Sequence, residues 1–201
     1  MSEDIHARHR ETSAIKQASY RRKKDSATRE KGLVIVHTGS GKGKTTAALG
    51  LAFRAVGQGM KVGMVQFIKG TVPTGEAALV QQFNLPIEIH TLGDGFTWAT
   101  QDREQDIATA RAAWEQAVRL LRNAAFEMVI LDEINLVIHY RYLPLAEVLT
   151  ELRGKREMLH VVLTGRNADP ALVELADLVT DMKAVKHPYA EGVKAQKGVE
   201  F

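Results

Sequence analysis

Residues 33–46 read LVIVHTGSGKGKTT, and no other stretch constrains the chain so tightly. Leu33, Val34, Ile35 and Val36 form a short apolar run rich in β-branched residues, as a buried parallel strand requires. Glycines at 39, 41 and 43 then let the backbone curl and let a ligand approach its N–H groups. From Lys44 the sequence KTTAALGLAFRAVG suits a helix. A strand, a glycine turn and a helix N-terminus in that order make an anion site. Lys44 adds a point charge, and the hydroxyl of Thr45 can serve a magnesium ion. The spacing Gly39-x-x-x-Gly43-Lys44-Thr45 is one residue shorter than the standard phosphate loop, because Thr38 stands where that loop begins with glycine.

A second apolar strand ends in chemistry. Residues 126–133 read FEMVILDE, and a carboxylate at the end of a neighbouring strand helps hold magnesium in phosphate-loop proteins. Asp132, Glu133 and Thr45 supply the hard oxygen ligands such a cation takes. Apolar runs also predict strands at 61–68, 87–90, 158–163 and 178–185. Helices are expected over 44–56, 76–83, 102–122, 145–152 and 170–176, with a short helix or turn over 135–142. The alternation specifies an α/β fold with a mostly parallel central sheet. The unit from 33 to 68 implies a parallel crossover. The loops after 36, 68, 131 and 163 share one ligand edge.

The 201 residues suit one domain carrying a sizeable core, preceded by an arm. Residues 1–31 are polar, uninterrupted by Gly or Pro, and read as a basic, mobile, partly helical arm. Residues 1–30 hold eight Lys or Arg and five Asp or Glu, and nineteen of each remain beyond them, so the net charge of +3 lies in the arm. A neutral core argues against a nucleic-acid partner. The absence of cysteine excludes disulfides, thiolate metal sites and cysteine-ligated iron–sulfur centres. No run approaches a membrane span, and the polar N-terminus lacks a signal core, so the cytoplasm is the expected location. Phe96 and Trp98 lie in a glycine-flanked loop, where large aromatics need either a core to fold onto or a ligand to cover them.

From the residues alone three readings stand open: a small transferase using ATP as co-substrate, a RecA-like ATPase acting on nucleic acid, and a nucleotide-gated regulatory module. The segments TGSGKGKTTAALGLAFRAVG, VQFIKG, GFTWATQDRE, VILDEI, LTGR and VKHPYAEGVKAQKGVEF then resemble, in order, the corrinoid adenosyltransferases of the ATP:cob(I)alamin type found in bacterial cobalamin synthesis. The resemblance covers about residues 30–201, and the shortened phosphate loop is that family's own pattern.

The resemblance implies a P-loop NTPase-like (RecA-like) three-layer domain over 32–201 that binds nucleotide and corrinoid. It implies transfer of the 5′-deoxyadenosyl group of ATP onto cobalt(I) of a reduced corrinoid, with release of tripolyphosphate. The triphosphate would lie in the reverse sense from kinases, leaving the ribose C5′ exposed. Gly39, Ser40, Gly41, Lys42, Gly43, Lys44, Thr45 and Thr46 would hold it, with Arg54 near the nucleoside. Lys42 and Lys44 would neutralise the leaving group. Thr45 and Glu133 would ligate Mg2+ (or Mn2+), with Asp132 in support. Phe96 and Trp98 would pack near the corrin and displace its lower ligand. A cobalamin or cobinamide-type corrinoid, a reduced flavoprotein electron donor and a homodimer, whose N-terminal arm closes over the neighbouring site, are further implications.

Overall fold

The computed structural model describes residues 2–68, 70, 74–92 and 102–199. The chain divides into two compact units, 1–31 and 32–201. The first carries one helix, α1 (Ser2–Ser26). Its last turn holds Lys23 and Lys24, where cations oppose the helix dipole.

Among the described residues the second unit is built around six strands: β1 (Val34–Thr38), β2 (Val62–Gln66), β3 (Ile87–Thr91), β4 (Met128–Asp132), β5 (His160–Thr164) and β6 (Leu178–Asp181). They form one sheet in the order β3-β2-β4-β5-β1-β6, and every pairing is parallel. Helices α2 (Lys44–Gly57), α3 (Gly75–Gln82), α4 (Arg103–Arg122), α5 (Ile134–His139), α6 (Leu145–Arg153) and α7 (Pro170–Leu175) connect them, and a short 3-10 turn (Pro188–Glu191) follows.

Side-chain alternation along the strands splits the core in two. On one face Ile35, Met64, Ile130 and Val162 meet Ala48, Leu49, Ala52 and Ala55 of α2, with Val80 of α3 alongside. On the other, Val36, Val65, Leu131 and Leu163 meet Trp114, Ala117 and Leu121 of α4, Val137 of α5, Val148 of α6 and Leu172 of α7. Helices on both faces of a parallel sheet make the three-layer α/β fold. Local chemistry sets the helix starts: Asp102 caps α4 by accepting from Glu104 N and Gln105 N, and Asp169 caps α7 ahead of Pro170.

The parallel crossover expected from β1 to β2 is present, with β5 and β4 lying between the two strands. The last strand ends at Asp181 instead of 185. Beyond it the backbone leaves the sheet and bonds to the glycine turn after β1, with Met182 N donating to Thr38 O at 2.9 Å and Gly41 N donating to Met182 O at 2.6 Å.

Candidate active site

The turn after β1 winds around a lysine. Gly39 and Gly43 have φ of 99° and 103°, a region side-chain-bearing residues rarely adopt. The chain thereby curls so that Lys44 Nζ donates to Gly39 O at 2.9 Å and Gly41 O at 2.6 Å. Lys44 is 7 % exposed. Burial pushes its pKa below the ordinary lysine value; Glu133 opposes this, Arg166 and Lys42 add to it, and Asp132 opposes it. Two carboxylates and three cations therefore act on one another at this point.

The N-terminus of α2 has the character of an anion site. Gly43 precedes it without a side-chain cap, and no acidic residue occupies its first turn. Its leading N–H groups are thus not satisfied by a capping side chain. Ser40, Lys42 and Thr46 are exposed around it, whereas Gly41 is buried. Arg54 is exposed in the last turn of α2. Ten residues of helix place it about 15 Å from Lys44 along the axis, so the fold does not gather it with the phosphate loop.

The end of β4 supplies the carboxylates. Asp132 is fully buried. Its Oδ1 accepts from Thr45 Oγ1 at 2.8 Å and from Thr164 Oγ1 at 2.7 Å, while Oδ2 accepts from Gln66 Nε2 at 3.4 Å. A buried carboxylate demands such donors. Glu133 follows with φ of 66°, strained for a residue with a side chain, and its N–H donates to Thr164 Oγ1 at 2.9 Å. Beside it Gly165 has φ of 125°, and a Cβ there would lie 3.2 Å from Glu133 Oε2 and 3.0 Å from Asn135 Cβ. Asn135 Nδ2 donates to Gly165 O at 3.0 Å.

The structure thus brings together Gly39, Gly41, Gly43, Lys44, Thr45, Asp132 and Glu133. Phe96 and Trp98 lie outside the described residues. Sequence reasoning missed Gln66, and it singled out Thr164 and Arg166 only as part of a strand-end segment. Position at a strand's C-terminal end was the one available signal. Among the described residues no group of three or more His, Asp or Glu side chains converges as a metal cage. A hydroxyl that donates a hydrogen bond to Asp132 still has lone pairs for a cation. Magnesium commonly takes one or two carboxylates together with substrate phosphates, so the donor set fits it.

Fold and site define a P-loop NTPase-like α/β domain with a lysine-filled glycine turn beside a hydroxyl–carboxylate pair. A family model described as ATP:corrinoid adenosyltransferase BtuR/CobO/CobP matches residues 30–201. The chain is 49 % identical over 194 residues to a corrinoid adenosyltransferase of Pseudomonas aeruginosa, with 96 % of each chain covered. It is 50 % identical over 197 residues to a corrinoid adenosyltransferase of Sinorhizobium sp, covering 97 % of this chain and 92 % of that one. Corrinoid adenosyltransferase CobA of Salmonella typhimurium is 46 % identical over 175 residues, covering 87 % of this chain and 88 % of that one. The chain belongs to the ATP:corrinoid adenosyltransferase family, whose members are transferases acting on ATP and corrinoids.

Proposed function

We propose that residues 32–201 form a nucleotide- and corrinoid-binding domain that transfers the 5′-deoxyadenosyl group of ATP to cobalt(I) of a reduced cobalamin or cobinamide-type corrinoid. Cobalt(I) supplies both electrons of the new cobalt–carbon bond. The C5′–oxygen bond breaks, and its electron pair leaves with tripolyphosphate. Cobalt is itself the nucleophile, so no Ser–His or Cys–His pair is needed. The protein's task is alignment and neutralisation of the leaving group.

In this reading Gly39, Ser40, Gly41, Lys42, Gly43, Lys44, Thr45 and Thr46 hold the triphosphate. Gly41 contributes through loop shape, since its N–H is committed to Met182 O. Lys42 and Lys44 balance the departing charge, and Arg54 serves the nucleoside end. Thr45 and Glu133 would hold Mg2+ (or Mn2+), with Asp132 in support; the cation would supply further charge neutralisation on the phosphates. Phe96 and Trp98 would act on the corrin and displace its lower ligand. A reduced flavoprotein delivers the electron, the chain works as a homodimer with residues 1–31 as an arm over the partner's site, and it acts in the cytoplasm. Among the described residues no helix is long and apolar enough to cross a membrane.

One observation carries the reading: the 2.8 Å bond from Thr45 to the buried Asp132, beside an uncapped helix N-terminus. The test mixes the protein anaerobically with chemically reduced cob(I)alamin and Mg-ATP in dim light. Light-labile alkylcobalamin and tripolyphosphate should form in equal amounts. Lys44→Ala should lower the rate at least tenfold and weaken ATP binding, whereas Phe96→Ala should spare ATP binding. Phosphate or diphosphate without alkylcobalamin would refute the transferase reading.

A further inference from the structure

A polar chain runs across the strand tips beside the phosphate loop, and its middle member has no role in the reaction described above. Gln66, the last residue of β2, is 2 % exposed. Parallel register sets it next to Asp132 of β4 on one side and Thr91 of β3 on the other. Its carboxamide spans both neighbours. Nε2 donates to Asp132 Oδ2 at 3.4 Å, and Thr91 Oγ1 donates to Gln66 Oε1 at 2.8 Å.

The directions of these bonds are fixed by chemistry. An ionised carboxylate only accepts, so the amide nitrogen must face Asp132. The amide oxygen then faces Thr91, whose hydroxyl must donate. The Thr91 hydroxyl, able to donate or accept, anchors the far end of the carboxamide, while Asp132 decides which way round it lies. A flip would set two acceptors against each other in a buried place, where an unmet polar group is costly.

Asp132 in turn governs Thr45. Its Oδ1 accepts hydrogen bonds from the hydroxyls of Thr45 and Thr164. Holding Oδ2 from the far side limits rotation of the carboxylate about its own axis. That keeps Oδ1 aimed at the Thr45 hydroxyl and leaves the hydroxyl's lone pairs turned away from Asp132.

We propose that Gln66 is a positioning residue for the metal–nucleotide centre: anchored by Thr91, it holds the Asp132 carboxylate and through it the Thr45 hydroxyl. The proposal rests on the reading of Thr45 as a cation ligand. Gln66 touches neither nucleotide nor cation; it acts through Asp132. Partners one step removed from a metal commonly change its affinity about 10- to 100-fold. The Gln66–Asp132 bond is long, so the expected effect lies at the low end.

The test uses the full chain without corrinoid and follows Mn2+ and ATP binding. Loss of the free Mn2+ electron paramagnetic resonance signal reports the metal, and calorimetry in excess chelator reports metal-free nucleotide binding. Gln66→Leu should raise the Mn2+ concentration for half-saturation about tenfold and leave metal-free ATP affinity within about twofold. Thr91→Val should shift Mn2+ binding in the same direction by about two- to fivefold, and should add nothing in the Gln66→Leu background. The Thr91→Val variant alone carries the test if Gln66→Leu does not fold. Unchanged Mn2+ binding in the folded variants would overturn the proposal. So would an equal loss of metal-free ATP affinity, or full additivity of the two substitutions. Wild-type protein that binds ATP equally with and without Mn2+ would overturn the cation-ligand reading as well; wild-type dependence with unaffected variants would overturn the role of Gln66 alone.

Discussion

Two glycine-to-alanine substitutions should move stability in opposite directions. A Cβ at Gly41 would stand 2.7 Å from Met182 O and 2.8 Å from Lys183 C and O, where ordinary contact begins near 3.4 Å. The loop or the segment after β6 must therefore yield by about 0.7 Å, and both are backbone, which does not swing aside as a side chain does. The shift also strains the 2.6 Å bond from Gly41 N to Met182 O. Overpacking of this kind costs about 2 kcal/mol, or about 4–8 °C in Tm for a chain of this length. Gly50 is exposed in the middle of α2, and a Cβ there meets nothing within 4 Å. Gly50→Ala should stabilise by about 0.5–1 kcal/mol, since alanine loses less backbone entropy in a helix, raising Tm by about 1–4 °C. Thermal denaturation of both variants and titration with ATP form the assay. Gly41→Ala should also weaken ATP binding, because the displaced turn carries the carbonyls that hold Lys44. A Gly41→Ala protein with wild-type Tm and ATP affinity would refute the view that the segment after β6 braces the phosphate loop.

Thr164→Val should cost about 2–3 kcal/mol in denaturant unfolding, because it removes a donor from Asp132 and the acceptor of the Glu133 N–H in a buried place; a loss under about 0.5 kcal/mol would contradict that accounting. Stability should fall as pH drops below neutrality. Burial lowers the pKa of His37, and burial followed by the Lys155 charge lowers that of His160. Both folded-state values thus lie below the ordinary 6.5, so the unfolded chain binds more protons. Their contribution is fully present above about pH 6.5 and is lost as pH falls from there through the folded-state values. Among the described residues neither ring nitrogen of His37 has a hydrogen-bond partner, so His37→Leu should flatten part of the slope in urea titrations between pH 5 and 7. Deleting residues 1–30 should slow corrinoid turnover more than it weakens ATP binding, measured by steady-state kinetics beside calorimetry; equal losses would refute the role of the arm.

Much of the site was legible because its parts are local in sequence. The β-branched run, the glycines and Lys44-Thr45 specify strand, turn and helix within 14 residues. Apolar residues 128–131 followed by Asp132-Glu133 mark a strand with carboxylates at its tip. The resemblance to the adenosyltransferases rests on six local segments in order, these two among them, and the family model confirms it.

Only the tertiary structure decided which strands lie together. Buried parallel strands are apolar on both faces, so their sequences carry little information about neighbours or register. β5 falls between β1 and β4, which brings Thr164 onto Asp132 across 32 residues of chain. β2 falls beside β4, which brings Gln66 to the same carboxylate across 66 residues. Thr45 reaches it across 87. The end of β6 at Asp181, and the turn of residues 182–184 onto the phosphate loop, arise from hydrogen bonds to Thr38 and Gly41 that no local pattern announces. The sequence determines which residues can do phosphate and cation chemistry, whereas the packing of interchangeable apolar strands determines which polar side chains meet at their ends.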